Sequence, residues 1–207
     1  MTYIKNKKYN FIIMKKTHLY ENYDDYIKFQ LKKTSDKSKQ KKWLGPEWQV
    51  KIDIFKNLFN NNINYIKNKK NAICLGSRTG QEVVALKDLG ITDVIGIDLH
   101  EFEPYTIKGD IHNLDFDLNH FDFAFTNILD HSLYPEKFAS EVTRVLKKNG
   151  IFILHVQYAI NQDKYTEVII ENINQVEVLF KGLKLIKKNK IESGIIAMNY
   201  EFIFVKE

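Results

Sequence analysis

The ten residues Ile73-Cys74-Leu75-Gly76-Ser77-Arg78-Thr79-Gly80-Gln81-Glu82 restrict the possible folds of this chain more than any other stretch. An apolar strand enters a turn bracketed by two glycines, and Gln81–Leu89 beyond it has helical spacing that ends at Gly90. A strand that passes through such a turn into a helix is a building block of a parallel sheet with crossover helices. The turn lets backbone approach a ligand closely, and the helix start offers unpaired N–H groups to negative charge. Thr79 and Glu82 have capping-box spacing, so the helix start is expected to be encoded locally. Taken alone, the two glycines fit a plain strand–helix connection equally well.

Downstream of Gly90 the chain keeps alternating between strand and helix patterns. Asp93–Leu99 reads as a strand, Tyr105–Lys108 as a short β segment, and Phe121–Thr126 as a strand apolar enough to be buried on both faces. Pro135 opens a helix with Phe138, Val142 and Val145 on one side and Gly150 as its expected C′ residue, before a strand at Ile151–Val156. Tyr165, Ile169, Ile173, Val176 and Phe180 predict a long amphipathic helix before Gly182. Leu183–Ile191 and Ile195–Val205, flanking Glu192-Ser193-Gly194, predict an antiparallel hairpin. Upstream, Pro46 is expected at a first helical position, and Trp48, Ile52, Phe55 and Phe59 form a stripe that should pack on the sheet. A shorter helix is expected over Tyr23–Lys33 with Tyr23, Ile27 and Leu31 aligned, and Lys32–Lys42 as a loop. The pattern predicts one α/β domain over 71–207, with residues 1–70 as an N-terminal helical cap rather than an independent unit.

Composition removes several classes. The 207 residues are 44% hydrophobic and 28% charged with only 9 Gly and 3 Pro, which excludes collagen-like and disordered chains. The single cysteine, Cys74, excludes an intrachain disulfide and a cysteine zinc cage, and suits a reducing compartment. No window reaches the ~18 apolar residues of a membrane span. Phe11-Ile12-Ile13-Met14 falls short of the ~7–15 apolar residues of a signal peptide core. The expected location is cytoplasmic. The net charge of +5 comes from scattered lysines such as Lys7-Lys8, Lys41-Lys42 and Lys187-Lys188, and is read as solvated surface, not a nucleic-acid groove.

Acidic residues then mark strand ends. Asp98 closes its strand twenty-two residues after Gly76, near the ~20 at which a carboxylate reaches ribose hydroxyls in a dinucleotide-type fold. Asp110 lies in Gly109-Asp110-Ile111-His112, and Asp122 in Phe121-Asp122-Phe123, both expected at the same sheet edge. With the Gly76–Gly80 loop, Gly96-Ile97-Asp98-Leu99, the run to Asn127, and Phe138–Gly150 before Ile151-Phe152-Ile153-Leu154, residues 71–156 resemble a class I S-adenosylmethionine-dependent methyltransferase of the type 11 small-molecule kind.

The resemblance implies a Rossmann-like, mostly parallel seven-stranded sheet with helices on both faces and a C-terminal antiparallel hairpin. It implies S-adenosyl-L-methionine as cofactor, with Gly76, Ser77 and Gly80 bordering its methionine part and Asp98, with Leu99 next to it, on the ribose. Asp110 would accept from the adenine amino group, Ile111 would flank the ring, and Asn127 would lie beside the sulfonium. Two positions depart from the family pattern: Cys74 stands where an acid is usual, and Arg78 where a glycine is usual. Arg78 could pair with the cofactor's carboxylate or form a structural ion pair.

After the fourth strand comes Asn127-Ile128-Leu129-Asp130-His131-Ser132-Leu133-Tyr134. His131 is the candidate general base and Asp130 its orienting acid; the alternative has Asp130 capping the next helix and His131 packing against the cofactor. No histidine–carboxylate set has metal spacing. The expected acceptor is a small molecule, such as a sugar or other hydroxylated metabolite, methylated on oxygen. The run after the fourth strand lacks the Asn/Asp-Pro-Pro-aromatic motif usual in base methylation. A non-catalytic cofactor-binding or partner-binding subunit of the same fold, and a nicotinamide-dependent oxidoreductase, are the competing readings. The sequence leaves the oligomeric state open.

Overall fold

A computed structural model describes residues 14–160 and 163–207. Lys7-Lys8 and Phe11–Ile13 lie outside the described residues. The helices are α1 Tyr23–Thr34, α2 Lys37–Leu44, α3 Trp48–Asn60, α4 Ile63–Ile66, α5 Gln81–Asp88, α6 Pro135–Val145 and α7 Asn174–Leu179. The main strands are β1 Asn71–Leu75, β2 Asp93–Asp98, β3 Thr106–Lys108, β4 Phe121–Thr126, β5 Leu146–Val156, β6 Lys184–Lys190 and β7 Tyr200–Val205. They form one sheet in the order β3-β2-β1-β4-β5-β7-β6. β1 to β5 pair in parallel, and β7 runs antiparallel to both of its neighbours.

β4 shows why the sheet sits between two helical layers. Phe123 and Phe125 face the side covered by α3 and α5, against Phe55 and Phe59 of α3. Ala124 faces the other side, with Phe138, Val142 and Val145 of α6 and Val176 and Leu179 of α7. A register shift between Phe121 and Phe123 against β5 brings Phe121 to the α6 side too, so every large side chain of the strand is buried. The edge strand β6 exposes Lys184, Lys188 and Lys190, which discourages pairing with another chain.

Four local expectations are corrected. Lys37–Leu44 is a helix, not a loop, because the Asp36 carboxylate accepts from the Ser38 and Lys39 amides at 2.9 and 3.3 Å and starts it. Pro46 precedes α3, whose N-cap is Glu47. Gly150 does not end α6; the chain passes from Val145 directly into β5, and Gly150 lies within that strand. The long helix expected over 165–180 is a two-residue strand, Val168–Ile169, paired antiparallel with Lys15–Lys16, and then the six-residue α7. The β-branched run Thr166, Val168, Ile169, Ile170 favours extended backbone over the helix that its apolar spacing also fits. The C-terminal hairpin forms, with a connection from Ile191 to Asn199 that holds a short 3-10 turn at Gly194–Ile196.

Candidate functional site

The loop after β1 is fixed by backbone geometry that side chains resist. Gly76 has φ +73°, and a Cβ there would meet Ile128 Cγ1 at 2.2 Å. Gly80 has φ +85°, and a Cβ would meet Tyr105 Cβ at 2.4 Å. Between them Arg78 adopts φ +51°, a left-handed conformation that favours glycine. The amides of Gly76 and Ser77 both donate to the Ile97 carbonyl, at 2.7 and 3.0 Å, which ties the loop to β2. The capping box does not form: Gly80 is the N-cap, and Thr79 donates to Gln81 Oε1 instead.

Asp98 ends β2 beside this loop. Its carboxylate accepts from the Arg78 amide at 2.9 Å and the His100 amide at 3.3 Å. Burial lifts its pKa above the ordinary carboxylate value, against the pull of those donors and of the Arg78 guanidinium. The expectation for Asp122 fails, because it opens β4 at the opposite sheet edge, where it pairs with Lys147 and accepts from the Asn71 amide.

At the carboxyl ends of β1, β2 and β4 lies a cleft of two compartments that share Lys33, Gly76, Arg78, Ile128 and His131. The first, about 560 Å³, is lined by Asp98, Leu99, Gly109 and Ile111 and roofed by Tyr26, Gln30 and Thr34 of α1. The second, about 1100 Å³, has charged walls that include Lys39, Lys42, Glu47, Lys51, Glu82 and Asp163, together with Ser77 and Asn127. Gly76, Ser77, Arg78, Asp98, Leu99, Ile111, Asn127 and His131 are therefore brought together. Gly80, Asp110 and Asp130 line neither compartment.

Asp110 is occupied within the protein. Tyr23 Oη donates to its Oδ2 at 2.7 Å, and the His112 amide donates to Oδ1 at 2.8 Å. Burial works to raise its pKa, but the His112 and Tyr23 hydrogen bonds hold it below the ordinary value. The fully buried His112 continues the chain of bonds to Ser132 Oγ at 2.8 Å.

His131 Nδ1 lies 2.8 Å from the Tyr165 carbonyl, so that nitrogen carries the proton and Nε2 presents a lone pair. Lys33 Nζ sits 3.2 Å from Nε2 and 2.5 Å from Asp163 Oδ2. The ring is thus oriented by Tyr165, not by Asp130, whose carboxylate is 3.7 Å from Nε2 and makes no hydrogen bond to the ring. Nor does Asp130 cap α6, whose start has no side-chain cap. Lys33 has a lowered pKa, chiefly from burial and then from the nearby Arg78. His155, near the end of β5, is buried against Glu201 at 3.0 Å and lines neither compartment.

Sequence reasoning missed the polar face of the α1 roof and the burial of Glu82. The signal for the first was Tyr26, Gln30 and Thr34 at four-residue spacing, polar groups on a face that turns out to be buried. Glu82 is 4% exposed. Burial pushes its carboxyl pKa up to about 8, against the pull of its own amide, Arg78 and Lys51. The described residues hold no group of three or more His, Cys, Asp or Glu side chains arranged for a metal, and no helix long and apolar enough to cross a membrane.

Residues 73–154 match the family model described as "Methyltransferase domain". No curated protein matches the chain by sequence. Among solved structures, the chain is similar to the PH0226 protein of Pyrococcus horikoshii, at 19% identity and TM-score 0.62 over 79% of this chain and 92% of that one. It is also similar to a SAM-dependent methyltransferase of Archaeoglobus fulgidus, at 14% identity and TM-score 0.61 over 81% and 97%. A third similar structure is an S-adenosylmethionine-dependent methyltransferase of Clostridium acetobutylicum, at 11% identity and TM-score 0.59 over 74% and 91%.

Proposed function

We propose that this chain, an S-adenosylmethionine-dependent methyltransferase with the class I fold, methylates an oxygen of a small, polar, hydroxyl-rich acceptor such as a sugar. The observation that carries this is the pair of joined compartments at the carboxyl ends of β1, β2 and β4. The narrower one, with Leu99, Ile111 and Ile128 as apolar surfaces and Asp98 as a carboxylate, suits a nucleoside: a flat ring between aliphatic side chains, and a ribose diol donating to Asp98. The wider, charged one suits an amino-acid moiety and, beyond it, the acceptor.

The bound cofactor supplies a methyl group on a sulfonium, an electrophile that needs no further activation. Gly76, Ser77 and Arg78 would border its methionine part, with the Arg78 guanidinium on the carboxylate, and Asn127, just past the end of β4, would stand beside the sulfonium. Gly80 supports the site from behind by allowing α5 to start against Tyr105, and Asp110 keeps Ile111 in place through its bonds to Tyr23 and His112. His131 Nε2 takes the acceptor's proton, with Tyr165 holding the tautomer and Lys33 withdrawing to Asp163. Asp130 contributes charge near the ring, not a hydrogen bond. Residues 14–70 act as the roof and outer wall of the same site, part of one functional unit with 71–207. The single buried cysteine suits a cytoplasmic setting.

The test is calorimetric titration of S-adenosylhomocysteine into wild type and Asp98→Asn, beside NAD as a control ligand. The variant keeps an oxygen for the Arg78 amide but loses the charge, which should weaken binding about 10–100-fold, the worth of ~1.5–3 kcal/mol in charge-assisted bonds. Equal affinity in the two proteins, or binding of NAD instead, would overturn the assignment. Transfer of labelled methyl to a panel of sugars and sugar nucleotides then identifies the acceptor.

A further inference from the structure

The second compartment holds a group for which the transfer chemistry above gives no role. Glu82, in the first turn of α5, is 4% exposed, lines the cavity, and forms no close ion pair among the described residues. A buried carboxyl without a counter-charge is costly. The groups around it do not supply one. From the loop, Arg78 stacks over the Trp43 ring at 4.4 Å. From α3, Lys51 is 2.6 Å from Glu47, which also binds Lys42 at 2.8 Å. From β1 the neighbour is the thiol of Cys74, whose pKa is itself raised by burial and then by Glu82, and from β2 it is the like charge of Asp98. The compartment therefore offers one buried acid and one guanidinium, each free of close ion pairs among the described residues, which is the charge pattern complementary to a free α-amino acid.

We propose that Glu82 holds the α-ammonium group of the cofactor's amino-acid moiety, beside Arg78 on its α-carboxylate; this rests on the methyltransferase reading of the cleft. It assigns a place in the chain's own charge balance to an acid that would otherwise destabilise the fold. In the free protein the carboxyl is protonated at pH 7, because burial has raised its pKa to about 8. When an ammonium arrives, the ionised form is favoured and the proton leaves. Binding at pH 7 therefore releases close to one proton, and the release falls toward zero as pH climbs well past 8, where the acid is already ionised.

Titration calorimetry of S-adenosylhomocysteine in buffers of differing ionisation heat reads this directly. Wild type should release close to one proton at pH 7. The analogue lacking the α-amino group should bind more weakly and release none. Glu82→Gln should bind S-adenosylhomocysteine at least tenfold more weakly, with no proton released, yet bind the deaminated analogue as wild type does. As a neutral isostere of the protonated acid it should melt no lower than wild type, and if it fails to fold, the two ligands on wild type decide alone. Wild-type binding without proton release, or an equal loss of both ligands in the variant, overturns the Glu82 assignment and leaves the methyltransferase reading standing. No binding of either ligand to wild type overturns that reading itself.

Discussion

His131 presents its Nε2 lone pair to the cleft only because Nδ1 is committed to the Tyr165 carbonyl, so its usefulness as a base depends on a backbone group thirty-four residues away. If proton transfer to Nε2 belongs to the transition state, His131→Ala should lower turnover by about 10²–10⁴-fold while S-adenosylhomocysteine affinity stays within a few-fold of wild type. Steady-state rates and a binding titration on that one variant check both parts. Weakened binding with turnover reduced only in proportion would make the ring a packing surface instead. The neighbouring Lys33, held by Asp163 at 2.5 Å, can release Nε2 without losing its counter-charge.

At the scale of elements, α1 is attached to the site through polar bonds more than through apolar burial. Tyr23 reaches Asp110, Tyr26 Oη donates to the His131 carbonyl at 3.0 Å, and Gln30 donates to the Tyr165 carbonyl at 2.9 Å and Glu167 Oε1 at 2.6 Å. Tyr23→Phe should cost about 1 kcal/mol and lower the melting temperature by ~2–4 °C near neutral pH. Asp110 has a depressed pKa in the fold, so this contribution is complete above the ordinary value of 3.8 and is lost as pH falls through the lower native value. The melting difference between variant and wild type should accordingly narrow below about pH 4. That same polar attachment explains what the sequence could and could not disclose. β1, β2 and β4 were legible from short apolar runs bounded by glycine and aspartate, and their ends located Gly76, Asp98 and Asn127. The face α1 buries is Tyr26, Gln30 and Thr34, whereas apolar spacing picks out Ile27 and Leu31, which are only half-buried. Glu82 and Lys33 look like surface residues in sequence because their burial comes from α1 to α3 folding over the cleft.

For the molecule as a whole, the sheet is held from both sides by aromatic contacts. Phe59 is central on the α3 side, fully buried, with its ring 4.8 Å from Phe125 and 6.4 Å from Phe123, both edge-on. Phe59→Ala should cost about 3–5 kcal/mol, seen as a lower denaturant midpoint. Cys74 lies in β1, paired with Phe125 of β4, with 0% exposure and a thiol pKa raised well above its usual value. A thiol so placed is chemically silent in the native state, and the chain has no other. Modification by a thiol reagent must wait for the sheet to open, so in the fast-closing regime its rate reports the population of the opened form. Phe59→Ala should speed that labelling by about 10²–10⁴-fold, matching its loss of stability, and saturating S-adenosylhomocysteine should slow it. The protein thus carries a built-in clock for its own opening, readable without introducing any probe.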